Sequence, residues 1–265
     1  MSLELLKRTD TGLYELDFFD GFTDESLDRK KWIPYYLPQW SSRKNSQPRF
    51  RIENSNLILE IQSDQEPWCP EFNGSLRVSS IQTGLYSGEL NTPQGQHLFS
   101  QNCRVREVQV TERTYIPQYG YFEMKAKCTL TEGNVAAFWM IGFEDTPEHS
   151  AEICIFELKA ENIRQTSSTI GFGIHPFQDA SLTDEFFEEE FAIDTSEFNV
   201  YVAEWAPTGV TFYINNVKIK TIEQSPQYPM QFMLSIYDVL EGKQRQEKME
   251  FIIDYVSGYR LIMFQ

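Results

Sequence analysis

The chain has 265 residues and a formal net charge of −16 at pH 7. That length suffices for one large domain with a sizeable core, and we expect a single domain over residues 1–265 because no linker interrupts the sequence. The excess of negative charge repels nucleic acid and anionic lipid, so neither is an expected partner. Phe, Tyr and Trp number 20, 13 and 5. Such residues suit β-sheets and also flat ligands such as sugars.

The cysteines and the ends of the chain give few further indications. The four cysteines, at positions 69, 103, 128 and 154, form no C-x-x-C pair, so no zinc site is expected. We expect free buried thiols, and one disulfide stays open if the protein is exported. The first residues hold no apolar stretch typical of a signal peptide, and nowhere do about 18 consecutive apolar residues predict a membrane span. Localisation is left open.

Short runs of alternating apolar and polar residues dominate the chain, each bounded by Gly, Pro, Asn or Ser. A period of two predicts β-strands. In chain order the predicted strands cover residues 49–61, 104–111, 121–130, 200–205, 210–214, 231–237 and 250–259. Asn215 and Asn216 predict a two-residue hairpin turn. Many short strands indicate an all-β sandwich or barrel, and residues 34–48 and 176–190 predict long loops that line a binding site.

Residues 151–158, A-E-I-C-I-F-E-L, carry the most chemical information. Glu152 and Glu157 interrupt an apolar strand, and buried carboxylates are costly unless they are paired or used. Glu152 and Cys154 face the same side of a strand, and a one-residue β-bulge would bring Glu157 to that side as well. Carboxyl groups about 5–5.5 Å apart are typical of retaining glycosidases.

The segment E-I-C-I-F-E resembles the E-[I/L]-D-[I/V]-x-E signature of glycoside hydrolase family 16, with Cys154 in place of the aspartate. Further blocks resemble the same family in the family's order, at residues 18–32, 54–60, 119–127, 136–142, 200–216 and 251–259. The resemblance implies a β-sandwich jelly roll of two curved antiparallel sheets with a concave carbohydrate-binding cleft. It also implies a retaining, endo-acting β-glycosidase that hydrolyses internal linkages of a β-glucan or galactan, with no cofactor for catalysis.

By this resemblance Glu152 takes the position of the nucleophile and Glu157 that of the acid/base. Cys154 replaces the aspartate that hydrogen-bonds the nucleophile. An aspartate shares a proton with the nucleophile, whereas a thiol is neutral below its usual pKa of about 8.5 and is a weak donor. We therefore expect a slow hydrolase, a shifted pH profile or no hydrolysis. Attack by the thiolate itself would need a positive neighbour, and none is evident.

Aromatic residues supply the candidates for substrate binding. The family pattern implies that Trp139 is a sugar platform, and a packed core tryptophan is the alternative. Phe138 then faces the opposite side. Trp40 and Arg43, in the loop at 34–48, are either subsite residues or part of a cover over the sheet edge. Trp68 is a weaker candidate of the same kind.

Histidines and a calcium ion complete the predicted site. His175 either tunes Glu157 by its charge or is a loop histidine, because strict alignment places Gly171 at the family position. His97 and His149 are interpreted as loop residues. The resemblance also implies a structural calcium ion on the convex face, held by Asp254 with Asp20 and Ser55; a plain strand aspartate is the alternative.

Two classes of function remain after these considerations. One is the glycosidase, and the other is a catalytically silent, lectin-like protein on the same fold. A binding protein needs no pair of glutamates at catalytic distance, and their retention favours the enzyme. Transglycosylation uses the same covalent intermediate and stays open. In each case we expect a polysaccharide or oligosaccharide partner and a monomer.

Overall fold

The structure is a computed structural model, and it describes residues 4–240 and 247–264. Within these residues seventeen strands, one short α-helix, α1 (Pro70–Asn73), and two 3₁₀ helices, Pro38–Trp40 and Ala160–Asn162, are present. The strands are β1 (Leu6–Arg8), β2 (Gly12–Asp20), β3 (Arg49–Glu53), β4 (Asn56–Glu60), β5 (Arg77–Gln82), β6 (Gly84–Leu85), β7 (Glu112–Arg113), β8 (Gly120–Thr129), β9 (Asn134–Gly142), β10 (Glu152–Lys159), β11 (Ser168–His175), β12 (Glu185–Phe191), β13 (Asn199–Ala206), β14 (Gly209–Ile214), β15 (Val217–Ile222), β16 (Met230–Asp238) and β17 (Glu250–Phe264). In this part of the chain, helices of the length and apolarity that a bilayer span requires are absent.

Two antiparallel sheets make up the molecule. The larger sheet has the strand order β1-β2-β17-β8-β13-β14-β15, with β4 also paired to β17 and β3 to β4. The second sheet has the order β12-β11-β10-β9-β16-β5, and β6 pairs with β7 separately. The glutamate motif therefore lies near the middle of the six-stranded sheet. The predicted all-β jelly-roll sandwich is confirmed.

The main hydrophobic core lies between the two sheets. Phe232 of β16 packs edge-on against Phe138 of its own sheet and Phe122 of the facing sheet, each with ring centroids 5.4 Å apart. Burying a phenylalanine contributes roughly 1.5–3 kcal/mol, so such contacts hold the sheets together. The six-stranded sheet is consequently a rigid support for side chains on its outer face.

Strand β9 is buried on both faces, which explains its almost continuous apolar sequence. Phe138 contributes to the core between the sheets, whereas Trp139 belongs to a second apolar cluster on the outer face. Loops cover that outer face, because the second cluster also contains Leu37, Trp40, Trp68 and Cys103. The opposite orientations expected for Phe138 and Trp139 are thus confirmed.

Two hairpin turns show how the strands are connected. Asn215 and Asn216 have φ values of 50° and 64° and connect β14 to β15, as predicted. Residues 49–61 instead form a hairpin, because Asn54 and Ser55 also have positive φ values, 51° and 56°, between β3 and β4. The alternating pattern continues through this turn and therefore does not show where the chain reverses.

Two other predicted elements are wrong. Residues 104–111 form no strand; the N–H of Val105 donates to the Thr92 carbonyl (2.9 Å) and that of Arg106 to the Gln39 carbonyl (2.7 Å), so two separate segments replace a regular partner strand. The loop predicted at 176–190 ends early, because β12 pairs with β11. Strand β12 is a sheet edge, where exposed glutamates are common and discourage further pairing.

Candidate active site

Strand β10 carries the two glutamates, and it contains the predicted β-bulge. Cys154 is opposite Trp139 on β9, while Phe156 is opposite Phe138. One residue, Ile155, lies between Cys154 and Phe156 on β10, whereas their partners Trp139 and Phe138 are adjacent, so Ile155 is inserted as an extra residue. A bulge of this kind reorients the side chains that follow it.

The bulge determines which side chains reach the outer face of the sheet. Ile153, Ile155, Phe156 and Leu158 all belong to the core between the sheets. Glu152 and Glu157 line one cavity of about 250 Å³ on the other face. Without the extra residue, the period of two would direct Glu157 into the core.

The electrostatics of this cavity favour a neutral Glu152. Burial and, to a smaller extent, the nearby charge of Glu157 together raise the pKa of Glu152 to about 8. Burial also raises the pKa of Cys154 well above its ordinary value, with Glu152 and Glu157 adding to the effect. The thiol is therefore protonated at neutral pH, and its Sγ lies 4.0 Å from the carbonyl oxygen of Gly171. A contact of this length is at most a weak hydrogen bond, and the neutral thiol leaves Glu152 without an ionised partner.

Glu157 is partly exposed to solvent and has a cationic neighbour. Its side chain is 27% exposed, and Oε1 lies 3.5 Å from Nζ of Lys159, which also pairs with Glu188 at 2.9 Å. Across the sheet, Glu157 is paired with Gly171 on β11. A carboxyl group that is partly open to solvent can exchange protons with water, which an acid/base residue requires.

An aromatic wall stands beside the glutamates. Trp139 lines the cavity, is 4% exposed and has its Nε1 3.4 Å from Oγ of Ser235. Tyr36 and Tyr237 also line the cavity, with their rings edge-to-face and 5.7 Å apart. Rings of this kind offer apolar faces for sugar rings and hydroxyl groups for hydrogen bonds. Trp139 both packs against its neighbours and borders the cavity.

His97 is a site residue that the sequence interpretation missed. Its ring lines the same cavity and lies 5.3 Å from the Trp139 ring and 5.1 Å from that of Phe177. Burial and, to a smaller extent, His175 together lower its pKa to about 4, so the imidazole is neutral near pH 7. No local pattern around residue 97 indicates this position, because a loop brings it there from outside the sheet.

The comparisons with known proteins agree with this geometry. The family model for glycosyl hydrolases family 16 matches residues 59–257. The chain belongs to this family. It is also similar to a beta-glucanase from Brevibacillus brevis, with 27% identity over 125 residues that make up 45% of this chain and 44% of that protein. The predicted resemblance to glycoside hydrolase family 16 is confirmed.

Solved structures show the same fold. The GlcNAcα1-4Gal-releasing endo-β-galactosidase from Clostridium perfringens has a TM-score of 0.81 and 31% identity over 94% of this chain and 63% of its own. A mutant of a non-specific family 16 endo-β-1,3(4)-glucanase, co-crystallised with 1,3-β-D-cellobiosyl-cellobiose, has a TM-score of 0.64 and 18% identity, covering 93% and 94% of the two chains. The chain thus spans less than two thirds of the length of the beta-glucanase and of the endo-β-galactosidase.

His175 occupies a different place from the one predicted. The strand register sets it opposite Glu152, whereas Gly171 is opposite Glu157. Its Nδ1 lies 2.7 Å from Oδ1 of Asp184, and its ring stacks on Phe186 at 4.6 Å. The strict alignment of the family 16 motif therefore gives the correct register, and the role of tuning Glu157 does not suit His175.

Trp40 and Trp68 are buried beneath the loops that cover the sheet, which corrects their expected contact with sugar. Trp40 is 0% exposed and donates from Nε1 to the Gln96 carbonyl at 2.9 Å. Trp68 is 1% exposed and supports Tyr36 edge-on at 4.7 Å. Neither ring has a free face for a ligand, so both act by holding the cavity wall in place.

Arg43 contributes to the structure of its own loop. It donates from Nε to Oε1 of Gln109 at 2.8 Å and pairs with Glu112 at 2.7 Å. Its guanidinium also lies over the Tyr35 ring, 4.8 Å from the centroid. These contacts hold the loop at 34–48 against residues 107–112, and a subsite role for Arg43 stays a prediction.

The residues predicted to hold calcium are engaged with other partners. Asp254 pairs with Lys125 at 2.7 Å, and Asp20 accepts hydrogen bonds from the Phe22 N–H and from Trp32 Nε1. Groups of three His, Cys, Asp or Glu suited to a metal ion are absent from the described part of the chain. As placed, with Ser55 in the β3–β4 turn, these side chains do not form a calcium cage. The calcium ion stays a prediction of the family resemblance.

Proposed function

We propose that the protein is a retaining, endo-acting β-glycosidase. The observation that carries this proposal is the bulge at Ile155, which brings Glu152 and Glu157 to one cavity. Two carboxyl groups that flank one cleft are the requirement of retaining hydrolysis. A carbohydrate-binding protein would gain nothing from burying Glu152 at the cost that its raised pKa reflects.

The catalytic roles of Glu152 and Glu157 follow from the surroundings of each carboxyl group. Ionised Glu152 attacks the anomeric carbon, while Glu157 donates its proton to the departing glycosidic oxygen. The resulting glycosyl ester at Glu152 is then hydrolysed by water, and Glu157 takes back a proton from that water. Trp139, Tyr36 and Tyr237 border the cavity and are suited to orient the sugar ring.

The rate of this catalytic cycle depends on Cys154. With the pKa of Glu152 near 8, only about one molecule in ten carries an ionised nucleophile at pH 7. The buried, neutral thiol cannot transfer a proton or accept a strong hydrogen bond in the way that a carboxyl group does. The enzyme is therefore slow at neutral pH and faster in mildly alkaline solution.

The substrate class is a β-linked galactan or glucan. The C. perfringens endo-β-galactosidase, at 31% identity, supports a galactoside as the first substrate to examine. The B. brevis beta-glucanase supports a β-glucan as the second. Net charge −16 disfavours strongly anionic polysaccharides, because like charges repel at the cleft.

The decisive experiment assigns the two glutamates separately. Wild type, Glu152→Ala and Glu157→Ala are incubated with an aryl β-galactoside or β-glucoside and with sodium azide. Azide should rescue Glu152→Ala to an α-glycosyl azide, because it replaces the nucleophile on the opposite face of the sugar. It should rescue Glu157→Ala to a β-glycosyl azide through the normal intermediate.

Polymer screening tests the proposal independently. Wild type should release oligosaccharides from at least one β-galactan or β-glucan, and Glu152→Ala should release none. Glu148→Gln is the matched control, since Glu148 is an exposed carboxylate just before the same strand. Binding of a polymer by wild type and Glu152→Ala alike, with no product from either, would instead identify a lectin-like protein.

A further inference from the structure

A second cavity of about 300 Å³ lies beside the wall of the catalytic cavity. We call it the side cavity, and its lining includes Tyr86, Pro93, Leu98, Glu144, Pro147 and Gln178. These residues come from the loops that follow β6, β9 and β11. Binding pockets typically measure about 300–1,000 Å³, so the side cavity suits one sugar residue or a substituent of it.

Glu144 is the unusual member of this lining. It is only 4% exposed, and it has a φ value of 55°, which is uncommon for a residue other than glycine. Its Oε1 accepts a hydrogen bond from the backbone N–H of His97 at 2.5 Å. Among the described residues Oε2 has no hydrogen-bond partner. Residues held in sparsely populated backbone conformations are concentrated at functional sites.

Burial raises the pKa of Glu144 well above its ordinary value, which favours the neutral form of the side chain in this cavity. In this state it presents an O–H donor, and the Oε1 acceptor is already occupied by His97. The neighbouring Asp145 is paired with Arg113 at 2.6 Å. The side cavity therefore suits a neutral ligand that offers a hydrogen-bond acceptor.

The other walls specify what surrounds that acceptor. Pro93, Leu98 and Pro147 provide apolar surface, and Gln94 and Gln178 provide side-chain amides at the rim. An acetamido group matches this combination, because it has a methyl group, a carbonyl acceptor and an N–H donor in one plane. A plain hydroxyl group would leave the apolar surface without a contact.

His97 connects the side cavity to the catalytic cavity. Its backbone donates to Glu144, while its ring lines the catalytic cavity against Trp139. The ring of Phe177, which is 49% exposed, lies 5.1 Å from that of His97. A substituent held in the side cavity thus belongs to a sugar close to the bond that is cleaved.

We propose that the side cavity binds the acetamido group of an N-acetylhexosamine residue of the substrate. Glu144 donates its O–H to the acetamido carbonyl, Gln178 accepts from the amide N–H, and the methyl group packs on Leu98 and Pro147. The proposal deepens the glycosidase function and rests on it. It makes amino-sugar-containing chains the preferred substrates over plain glucans or galactans.

The test measures binding in the Glu152→Gln variant, in which turnover is blocked. Two oligosaccharides are titrated by calorimetry; they differ only in an acetamido or a hydroxyl group on one residue. We expect the acetamido compound to bind about tenfold more tightly, from one buried methyl group and one hydrogen bond. Equal dissociation constants for the two compounds would overturn the proposal.

Two further substitutions, each combined with Glu152→Gln, test whether the side cavity causes the tighter binding of the acetamido compound. Gln94→Trp should fill the side cavity from its exposed rim and bring the two dissociation constants within about twofold. Glu144→Gln keeps a neutral hydrogen-bond donor and should therefore keep the preference for the acetamido compound. Gln178→Ala serves as a second variant if Gln94→Trp does not fold, as judged by thermal melting. If Gln94→Trp folds and still shows the full tenfold preference for the acetamido compound, the assignment of the side cavity is wrong. Glu148→Gln is the control and should keep this preference.

The two proposals fail in distinguishable ways. If Glu152→Gln discriminates between the compounds but wild type hydrolyses neither, the glycosidase proposal fails and the side cavity stands. If wild type hydrolyses both compounds with equal kcat/KM, the glycosidase stands and the assignment of the side cavity is wrong.

Discussion

Gly171 lies directly opposite Glu157 on the neighbouring strand, and a side chain at position 171 would collide with it. A Cβ atom there would be 2.7 Å from Cζ of Phe186 and 3.1 Å from Cβ of Glu157. The glycine therefore leaves room for the acid/base residue. It also explains why the histidine expected near Glu157 is absent from this register position.

Gly171→Ala should lower kcat several-fold, because the new Cβ atom presses on Phe186 and displaces Glu157 by a few tenths of an ångström, which disturbs proton transfer. KM should change little, since the aromatic wall is untouched. Steady-state kinetics on an aryl glycoside measure both. Ile170→Val, on the same strand but facing the core, controls for a general loss of stability. Unchanged kcat in Gly171→Ala would show that Glu157 does not need this space.

The raised pKa of Glu152 predicts an alkaline pH profile. The nucleophile must be ionised, so kcat/KM should rise about tenfold per pH unit up to a pKa of about 8 and then level off. A pH–rate profile between pH 5 and 10 measures this limb. An acid limb near pH 4.5 would contradict the neutral state assigned to Glu152.

Cys154→Asp should restore the proton-sharing partner of the nucleophile. We expect kcat/KM at pH 7 to rise about tenfold and the acid limb to move to lower pH, since a carboxyl group can donate a hydrogen bond to ionised Glu152. Cys154→Ser, which is similar in size and stays neutral, is the matched comparison and should gain less. Turnover that falls in Cys154→Asp while folding is retained would refute this account of the cysteine.

Burial of Glu152 also predicts a dependence of stability on pH. The ordinary pKa of a glutamate side chain is 4.5, whereas the pKa of Glu152 in the folded protein is about 8, so the folded state binds more protons between these values. The free energy of unfolding therefore falls as the pH rises from about 4.5 to 8. Glu152→Gln should be more stable than wild type by on the order of 2 kcal/mol at pH 8. Urea denaturation at pH 5 and pH 8 measures the difference, which should nearly vanish at the lower pH.

Trp139 and Trp68 should respond differently to replacement. Trp139→Phe is expected to raise KM several-fold, because Trp139 borders the catalytic cavity. Trp68→Phe is expected to cost about 1–2 kcal/mol of stability through the lost Nε1 contact to Asn73 and poorer packing against Tyr36, with little change in KM. Kinetics and thermal denaturation of both variants separate the two roles. A large change in KM for Trp68→Phe would restore it as a sugar contact.

Much of the candidate site follows from the spacing of residues along a single strand. An odd separation between Glu152 and Glu157 requires an inserted residue if both are to face one side, and Ile155 is that residue. The segments that resemble glycoside hydrolase family 16 also identify strands on either side of β10. The same reasoning fails for residues 104–111, whose alternation resembles a strand although their backbone bonds are spread over other loops.

The residues that the sequence did not reveal lie in loops. Trp40 donates to the Gln96 carbonyl, 56 positions away, and His97 contacts Glu144, 47 positions away. Neither contact leaves a periodic pattern in the sequence. The burial of Trp40, the neutral state of His97 and the side cavity around Glu144 all depend on such contacts.

The amino-acid sequence by itself determined that the chain is built mostly of strands, the order of the two glutamates and the presence of a thiol between them. These features obey the two-residue period of a strand, which acts within a few residues of each position. Only the tertiary structure decided that burial raises the pKa of Glu152, that Gly171 makes room for Glu157, and that Glu144 lines a side cavity beside the cleft. Burial and electrostatics depend on which distant segments come together, and the period of a single strand carries no information about that.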